Sequence, residues 1–295
     1  MSINHPIIAV TGSSGANRQT VRETFEKLCQ REKLLAAYIQ GDGFHRHDRE
    51  VMKKTIAEAA ANGNPNFSHF CAEANLFDEQ EKLYQAYGKT GGGQRRFYLH
   101  NWKEAEPFKD LGLQPGQFSP WEDVPRGTDM MVYEGLHGWA TTDGINLARH
   151  VDLKIGVVPV VNLEWIQKIN RDTGLRGYSE EAVIDTILRR MPDYVRDIVP
   201  QFRHSDINFQ RVPVVDTSNP IIANDVPTID ESVVVIRFRK PADYDVDFPW
   251  LIRNLDDSWM SRRNTIVVPG GKMSLAMQII LTPIINRMME ARTVA

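Results

Sequence analysis

The fold is decided by the stretch Ile7-Ile8-Ala9-Val10-Thr11-Gly12-Ser13-Ser14-Gly15-Ala16-Asn17-Arg18-Gln19-Thr20. A β-branched apolar run passes into a Gly/Ser turn, and Val21, Phe25 and Leu28 then fall on one face of a helix. The pattern predicts a strand, a loop and a helix in succession. Such a loop directs backbone N–H groups and a helix N-terminus towards one point, where the phosphates of a nucleotide can bind.

The same loop departs from the full phosphate-loop pattern, which has Gly, Lys and Ser or Thr where this chain has Asn17, Arg18 and Gln19. Asn17 can adopt positive φ at a cost of about 1–2 kcal/mol relative to Gly. Arg18 keeps a cation in a larger, planar form, whereas Gln19 lacks the hydroxyl that would contact a metal. The loop alone therefore leaves two interpretations open, a nucleotide site and a plain strand-to-helix turn. The candidate nucleotide-binding residues are Gly12, Ser13, Ser14, Gly15, Ala16, Asn17, Arg18, Gln19 and Thr20.

Composition narrows the class of protein. The chain has 295 residues, 42% hydrophobic and 25% charged, which is typical of a soluble protein with a sizeable core. A net charge of -3 argues against a nucleic-acid partner. No apolar run is long enough to cross a membrane, and no signal peptide is recognised. Cys29 and Cys71 are too few and too far apart for a disulfide framework. We therefore expect a cytoplasmic enzyme with reduced thiols.

Candidate catalytic and metal-binding carboxylates follow two further predicted strands. Leu34 to Ile39 is predicted as a buried strand, and Asp42 follows it within a segment rich in His and Arg. In an open parallel sheet the ligand crevice lies beyond the carboxyl ends of the strands, so Asp42 is a candidate base, although Asp-Gly is also a common turn. Cations beside it would suit a phosphorylated substrate. Glu134 follows the predicted strand Met130 to Tyr133, where such folds hold magnesium; the alternative is a simple strand-ending acid.

A cationic segment follows the most hydrophobic predicted strand, Val151 to Val161. It runs from Asn162 to Gly177 and carries Lys168, Arg171 and Arg176. Its glycines favour a mobile lid over bound phosphate, and a solvated helix is the competing interpretation. No linker or repeat divides the chain. We therefore predict one kinase-like domain over 1–295, with an excursion over roughly 50–128 that includes a short strand at Arg95 to His100.

These segments together resemble the phosphoribulokinase family, and specifically its bacterial branch. The resemblance covers nearly the whole chain. Its most specific strings are Val10 to Ala16, Tyr133-Glu134-Gly135-Leu136-His137-Gly138, Gly156 to Lys168, Asp206 to Pro213 and Val215 to Pro220. It implies an α/β, phosphate-loop NTPase-like three-layer fold with a largely parallel central sheet plus extra strands and helices. It also implies phosphorylation of ribulose 5-phosphate by ATP and Mg²⁺, giving ribulose 1,5-bisphosphate for carbon fixation.

The resemblance also implies roles for individual residues. Asp42 is the catalytic base, Lys168 and Asp172 are catalytic residues of the lid segment, and Glu134 is the acid at the metal. The residues implied to bind the sugar phosphate are Arg31, His45, Arg49, His100, Arg171 and Arg176. Arg237 and Arg262 stand where bacterial members carry effector arginines, so activation by NADH and an octameric assembly are expected.

Two alternatives remain at this point. One is a catalytically impaired relative that binds sugar phosphate or NADH and acts as a regulatory protein, which only the altered loop supports. The other is a related sugar or nucleoside kinase with a different acceptor. Uridine kinases share the strand-loop-helix start but are not expected to share the strings from Gln201 to Pro220.

The altered loop gives a first prediction. If Asn17, Arg18 and Gln19 impair catalysis, the combined change Asn17→Gly, Arg18→Thr and Gln19→Ser should raise turnover. Phosphoryl transfer depends mainly on the positioning of the reacting groups. Turnover and nucleotide affinity would be measured together in a magnesium-dependent ATP-to-ADP assay. No gain in turnover, with nucleotide affinity unchanged, would show that the native loop is already competent.

Overall fold

The computed structural model describes residues 4–12, 18–158, 160–174, 177–223 and 225–293, without the side chains of residues 18–20 and 293. The helices are α1 (Arg18–Glu32), α2 (Arg49–Ala61), α3 (Phe77–Thr90), α4 (Trp102–Ala105), α5 (Val161–Gly174), α6 (Glu180–Asp193), α7 (Val199–His204), α8 (Phe248–Asn254) and α9 (Met273–Thr293). The strands are β1 (Ile7–Gly12), β2 (Ala36–Gln40), β3 (Gln94–Arg95), β4 (Glu122–Asp123), β5 (Met130–Gly135), β6 (Thr141–Thr142), β7 (Ile145–Asn146), β8 (Leu153–Val157), β9 (Ile207–Pro213), β10 (Ser232–Phe238), β11 (Trp259–Arg262) and β12 (Thr265–Pro269).

The described residues fall into two compact units that alternate along the chain. The first unit takes its residues from within 1–9, 35–152 and 189–201. The second takes its residues from within 10–34, 153–188 and 202–295. The single domain predicted over the whole chain stays a prediction.

The first unit is built on parallel strands. β1, β5 and β2 are neighbours in that order, and β2 pairs with β5 in parallel with Gln40 opposite Glu134. β1 is buried along its length, as its β-branched run predicts. The core beneath these strands includes Phe44, Tyr84 and Trp139, all nearly inaccessible to solvent. The carboxyl ends of β2 and β5 therefore carry the functional residues that follow them.

The ends of β2 and β5 approach unusually closely. A Cβ at Gly41 would lie 2.9 Å from the Cα of Gly135, and one at Gly135 would lie 2.8 Å from the Cα of Gly41. The buried hydroxyl of Tyr133 fills the remaining space, because a Cβ at either glycine would overlap it. Both positions therefore require glycine for lack of room, not for a special φ.

The second unit combines a parallel pair with an antiparallel extension. β8 pairs in parallel with β9, and β9, β10, β12 and β11 follow as antiparallel neighbours. These last strands are the extra strands expected beside a parallel sheet. Helices α1 and α9 pack together, and the hydroxyls of Thr24 and Ser274 hydrogen-bond at 2.9 Å.

Several predicted elements are confirmed and two are wrong. The strands predicted before Asp42 and Glu134 are present as β2 and β5. Helix α2 begins at Arg49, and the Asp48 carboxylate accepts from the Val51 N–H at 2.8 Å as its N-cap. The predicted strand from Arg95 to His100 is wrong beyond Arg95, because residues 97–99 bond to residues 117–119 with only an isolated bridge, Tyr98 to Phe118.

The strand predicted from Val151 to Val161 is also too long. It ends at Val157, and Val161 is already the first residue of α5. The chain has Pro159 here, which cannot donate to a strand ladder. Residues 162–174 are helical, with Leu163, Ile166 and Ile169 on the buried side of α5, and the lid interpretation of this segment stays a prediction.

A search of the described residues for a helix long and apolar enough to cross a membrane finds none.

The glycine contact gives a stability prediction. Gly41→Ala should lower the free energy of unfolding by about 1–3 kcal/mol, because the added methyl group overpacks a closed backbone contact. Chemical denaturation measures the change. Gly92→Ala is the matched control, since a Cβ there meets no atom closer than 3.4 Å. Equal stability of the two variants would contradict the proposed constraint.

Candidate active site

The Asp42 carboxylate lies between the imidazoles of His45 and His100 in the first unit. Asp42 belongs to the short 3-10 helix Gly41–Phe44 that follows β2 directly. Its Oδ1 lies 3.5 Å from Nε2 of His45, and its Oδ2 lies 3.2 Å from Nε2 of His100. The Asp42 side chain is only 13% exposed. A carboxylate with an imidazole at each oxygen is suited to accepting a proton from a bound hydroxyl.

The backbone around His45 is held by a partly buried cation, Arg96. Arg96 donates from Nε to the carbonyl of Gly43 at 2.7 Å and from Nη2 to the carbonyl of His45 at 2.6 Å. Its guanidinium lies 3.7 Å above the ring of Phe118. Burial lowers the pKa of Arg96 from its ordinary value. Arg96 therefore acts here as a structural clamp.

Arg49, Tyr98 and His100 form the exposed side of the same group. Arg49 starts α2 and donates from Nη2 to the carbonyl of His100 at 3.4 Å. Burial raises the pKa of Tyr98, and a hydrogen bond from Arg49 opposes that shift. The rings of Tyr98 and His100 meet edge to face at 4.9 Å. The structure therefore brings together His45, Arg49 and His100, three of the residues predicted to bind substrate, around Asp42.

A second layer of histidines lies beneath His45. The ring of His69 stacks on His45 with centroids 4.3 Å apart, and its carbonyl lies 3.2 Å from Nε2 of His137. Burial lowers the pKa of His137 to about 4 and that of His69 well below its ordinary value. Nδ1 of His137 accepts from Nε2 of Gln201 at 3.4 Å. Both inner rings are therefore neutral at physiological pH.

Glu134 is the penultimate residue of β5, just before Gly135, and is partly buried. Its strand partner Gln40 lies two residues before Asp42, so two carboxylates follow neighbouring parallel strands. Oxygen donors of this kind suit Mg²⁺, which usually takes one or two protein carboxylates together with water and substrate phosphates. Within the described residues, no group of three or more His, Cys, Asp or Glu side chains forms a metal cage. The donor set fits magnesium bound mainly by phosphates.

Lys168, Arg171 and Asp172 form a compact ion-pair group on α5, in the second unit. Lys168 donates to one carboxylate oxygen of Asp172, and Arg171 donates from Nε to the other at 2.9 Å. Burial opposes ionisation of Asp172, but these hydrogen bonds outweigh it and lower its pKa. The carboxylate stays charged and holds both cations in fixed directions.

Three further predicted cations also lie in the second unit. Arg31, in the last turn of α1, donates to Glu32 and to Gln278 and Thr282 of α9. Arg237 of β10 and Arg262 of β11 are both exposed and both lie opposite Thr265 of β12. Residues paired in this way share one face of a sheet, with about 4.8 Å between neighbouring strands. The backbones of the two arginines are therefore about two strand spacings apart, roughly 10 Å, and the register of β11 shifts between Met260 and Arg262.

Part of the predicted nucleotide loop lies outside the described residues, namely Ser13, Ser14, Gly15, Ala16 and Asn17, as does Arg176. Gly12 is the buried last residue of β1. Arg18, Gln19 and Thr20 open α1, and their side chains are not described. The expected strand before this segment and the expected helix after it are both present.

Sequence reasoning missed several members of the site. Asn75 contacts His45, while His69 and Arg96 support it, yet their segments show no period that singles them out. Among the missed residues, only His137 has a sequence position that suggests a role in the site, because it lies three residues after Glu134 in the segment that follows a strand.

Comparisons with known proteins agree along the whole chain. The model of the Phosphoribulokinase / Uridine kinase family matches residues 7–218. A plasmid-encoded phosphoribulokinase of Cupriavidus necator is 58% identical over 292 residues, 99% of this chain and 98% of that protein. Phosphoribulokinase 1 of Cereibacter sphaeroides is 54% identical over the full length of both. The solved phosphoribulokinase from Rhodobacter spheroides superposes with a TM-score of 0.89 at 52% identity, covering 99% of each chain. The predicted α/β, phosphate-loop NTPase-like fold is confirmed.

The neutral state of His137 gives a pH prediction. Between about pH 6.5 and 4 the unfolded chain binds a proton at this position and the folded protein does not, so stability falls as the pH falls. The stability advantage of the wild type over His137→Gln should shrink by about 2–3 kcal/mol across this window. Urea denaturation at several pH values measures it. The exposed His204→Gln is the control, and a pH-independent difference for His137→Gln would contradict the assignment.

Proposed function

Since the chain belongs to the Phosphoribulokinase / Uridine kinase family, we propose that it phosphorylates ribulose 5-phosphate with ATP. The product is ribulose 1,5-bisphosphate, as in the Calvin cycle. The observation that carries this proposal is the Asp42 carboxylate, set between two imidazoles at the end of β2 in a chain that matches phosphoribulokinases over its full length.

Asp42 is the proposed catalytic base. It accepts the proton of the substrate's 1-hydroxyl as the oxygen attacks phosphorus. A base of this kind contributes about 10²–10⁴-fold to the rate. His100 keeps the carboxylate directed, because its Nε2 lies 3.2 Å from Oδ2, and Nε2 of His45 lies 3.5 Å from the other oxygen.

The cations around Asp42 suit a sugar phosphate. Arg49, His45 and His100 surround the carboxylate, and an arginine fork matches the geometry of phosphate oxygens. Arg31, Arg171 and Arg176 are proposed as further substrate ligands on the strength of the sequence. The existing contacts of Arg31 with α9 would hold its side chain extended.

The nucleotide side rests on the loop from Gly12 to Thr20. We assign its backbone N–H groups and the start of α1 to the phosphates of ATP. Glu134 would hold Mg²⁺, directly or through water. When bound, magnesium neutralises charge on the phosphate oxygens.

Lys168 and Asp172 are proposed as catalytic partners. Phosphoryl transfer is stabilised by cations that are already oriented before the reaction. Asp172 supplies that orientation, because its two oxygens bind Lys168 and Arg171. In this role the Lys168 ammonium group stabilises the negative charge on the transferred phosphoryl group, and Asp172 keeps the lysine in place.

Arg237 and Arg262 are proposed as the effector site for NADH. Arg237 and Arg262 are exposed on the two strands that flank β12, and arginine side chains suit the phosphates of a dinucleotide. A homo-oligomer, expected as an octamer from the family resemblance, is part of the same proposal.

The decisive experiment replaces the base. Asp42→Asn should lower kcat by about 10²–10⁴-fold while the KM for ATP stays within a few fold, because the base acts only on the acceptor. A magnesium-dependent ATP-to-ADP assay with ribulose 5-phosphate, run with and without NADH, measures both constants.

Asp78→Asn is the matched control, since Asp78 is an exposed carboxylate in the first turn of α3. Near-normal turnover by Asp42→Asn would remove the base role. A folded wild type without turnover, yet still binding sugar phosphate or NADH, would favour the regulatory alternative. Turnover with another sugar or nucleoside in place of ribulose 5-phosphate would redirect the substrate assignment.

A further inference from the structure

Asn75 is a buried residue that directly contacts the ring of His45. It follows the short 3-10 turn Ala72–Ala74 and is 3% exposed. Its Oδ1 lies 2.9 Å from Nδ1 of His45. Its Nδ2 donates to the carbonyls of His69 at 3.0 Å and Cys71 at 2.8 Å. The Asn75 side chain thus makes three hydrogen bonds, one through Oδ1 and two through Nδ2.

The orientation of the Asn75 amide follows from the chemistry of its partners. A carbonyl oxygen can only accept, and the amide NH₂ has two protons to donate. Rotating the amide by half a turn would place Oδ1 against two carbonyl oxygens and leave both of them without a donor. The carbonyls of His69 and Cys71 therefore fix Oδ1 towards His45.

The protonation of one ring nitrogen follows in turn. Because Oδ1 of Asn75 can only accept, Nδ1 of His45 must carry the hydrogen. Nε2 is then a lone-pair acceptor when His45 is neutral, and an N–H donor only when the ring is protonated. Nε2 is the atom that lies 3.5 Å from the Asp42 carboxylate.

Backbone pairing keeps this contact in register. His45 and Asn75 form an antiparallel bridge, flanked by hydrogen bonds of 2.8 Å from Arg46 N–H to the Ala74 carbonyl and from Leu76 N–H to the Phe44 carbonyl. The side chains of His45 and Asn75 therefore meet across a short two-stranded ladder.

We propose that Asn75 is a positioning residue that holds His45 in its Nδ1–H form and so directs the Nε2 lone pair towards the acceptor site beside Asp42. The proposal rests on the proposed function of Asp42 and His45. With the wrong tautomer, Nε2–H would donate to Asp42 and occupy the oxygen that has to take the substrate proton. Asn75 thereby acts on the acceptor side of the reaction and not on the nucleotide.

The test compares two variants that lose the same donors. Asn75→Ala and Asn75→Asp both lose the amide protons that bind the two carbonyls, but only Asn75→Asp keeps an oxygen acceptor for Nδ1–H. Histidine-selective ¹⁵N NMR separates the two tautomers directly, with the His45 signal assigned by its absence in His45→Gln. Steady-state kinetics on the same samples gives kcat/KM for ribulose 5-phosphate and KM for ATP.

We expect His45 to be Nδ1–H in the wild type and in Asn75→Asp, and Nε2–H or mixed in Asn75→Ala. Relative to the wild type, kcat/KM for ribulose 5-phosphate should fall about 10–100-fold in Asn75→Ala and less in Asn75→Asp, with KM for ATP within about twofold. Cys71→Ala removes a buried thiol from the same segment without touching His45, and should change kcat/KM by less than about twofold.

An Nε2–H form of His45 in the wild type would overturn the proposal, whether or not either variant folds. Equal losses in the Ala and Asp variants with an unchanged tautomer would also overturn it, since Asn75 would then be merely structural. The tautomer of His45 is measured by NMR without any turnover. If the wild type lacks ribulose 5-phosphate kinase activity, the proposed function is wrong, and the NMR spectrum still decides whether Asn75 fixes the tautomer.

Discussion

The candidate site depends on the close approach of two backbones at Gly41 and Gly135. Their Cα atoms are so near that a Cβ on either would come within 3 Å of the other, and the Tyr133 hydroxyl occupies the space beside them. Asp42 directly follows one glycine, and Glu134 directly precedes the other. The two carboxylates are therefore placed by main-chain packing at the end of a parallel strand pair, and their positions do not depend on long side chains finding each other.

The groups around Asp42 are arranged so that few of them can move independently. Arg96 fixes the carbonyls on both sides of Phe44, and Asn75 fixes the ring of His45. Below them, Gln201 donates to the carbonyl of Leu136 at 3.0 Å, and its own carbonyl accepts from Trp139 Nε1 at 2.7 Å. A buried polar network of this kind is stable only when its members are satisfied, and it then holds each one in a single orientation. Such rigidity suits phosphoryl transfer, in which positioning provides much of the rate.

The sequence predicted the framework of this site and the residues that face solvent. The strand before Asp42 and the segment with His45 and Arg49 follow from strand ends and charge, whereas His100 was expected only from the family resemblance. Asn75 and His69 were not predictable in this way, because their roles depend on a bridge between His45 and Asn75, which lie thirty residues apart in the sequence. The overlong strand at Val151 shows the same limit, since apolar composition continues from β8 into the first turns of α5.

The chemistry of the two sides of the reaction rests on different parts of the sequence. The acceptor side is assigned by proposal to Asp42 and its neighbours, and the described residues there are a carboxylate, two imidazoles against its oxygens and an arginine that donates to the His100 carbonyl. The departure at Asn17, Arg18 and Gln19 concerns the nucleotide side alone. If these residues bind the nucleotide poorly, the affinity for ATP falls and the terminal phosphate is misaligned. Activation of the acceptor hydroxyl would be unaffected. Relatives above 50% identity extend over almost the whole chain, so the proposed acceptor residues stand in a chain that matches phosphoribulokinases over nearly its full length.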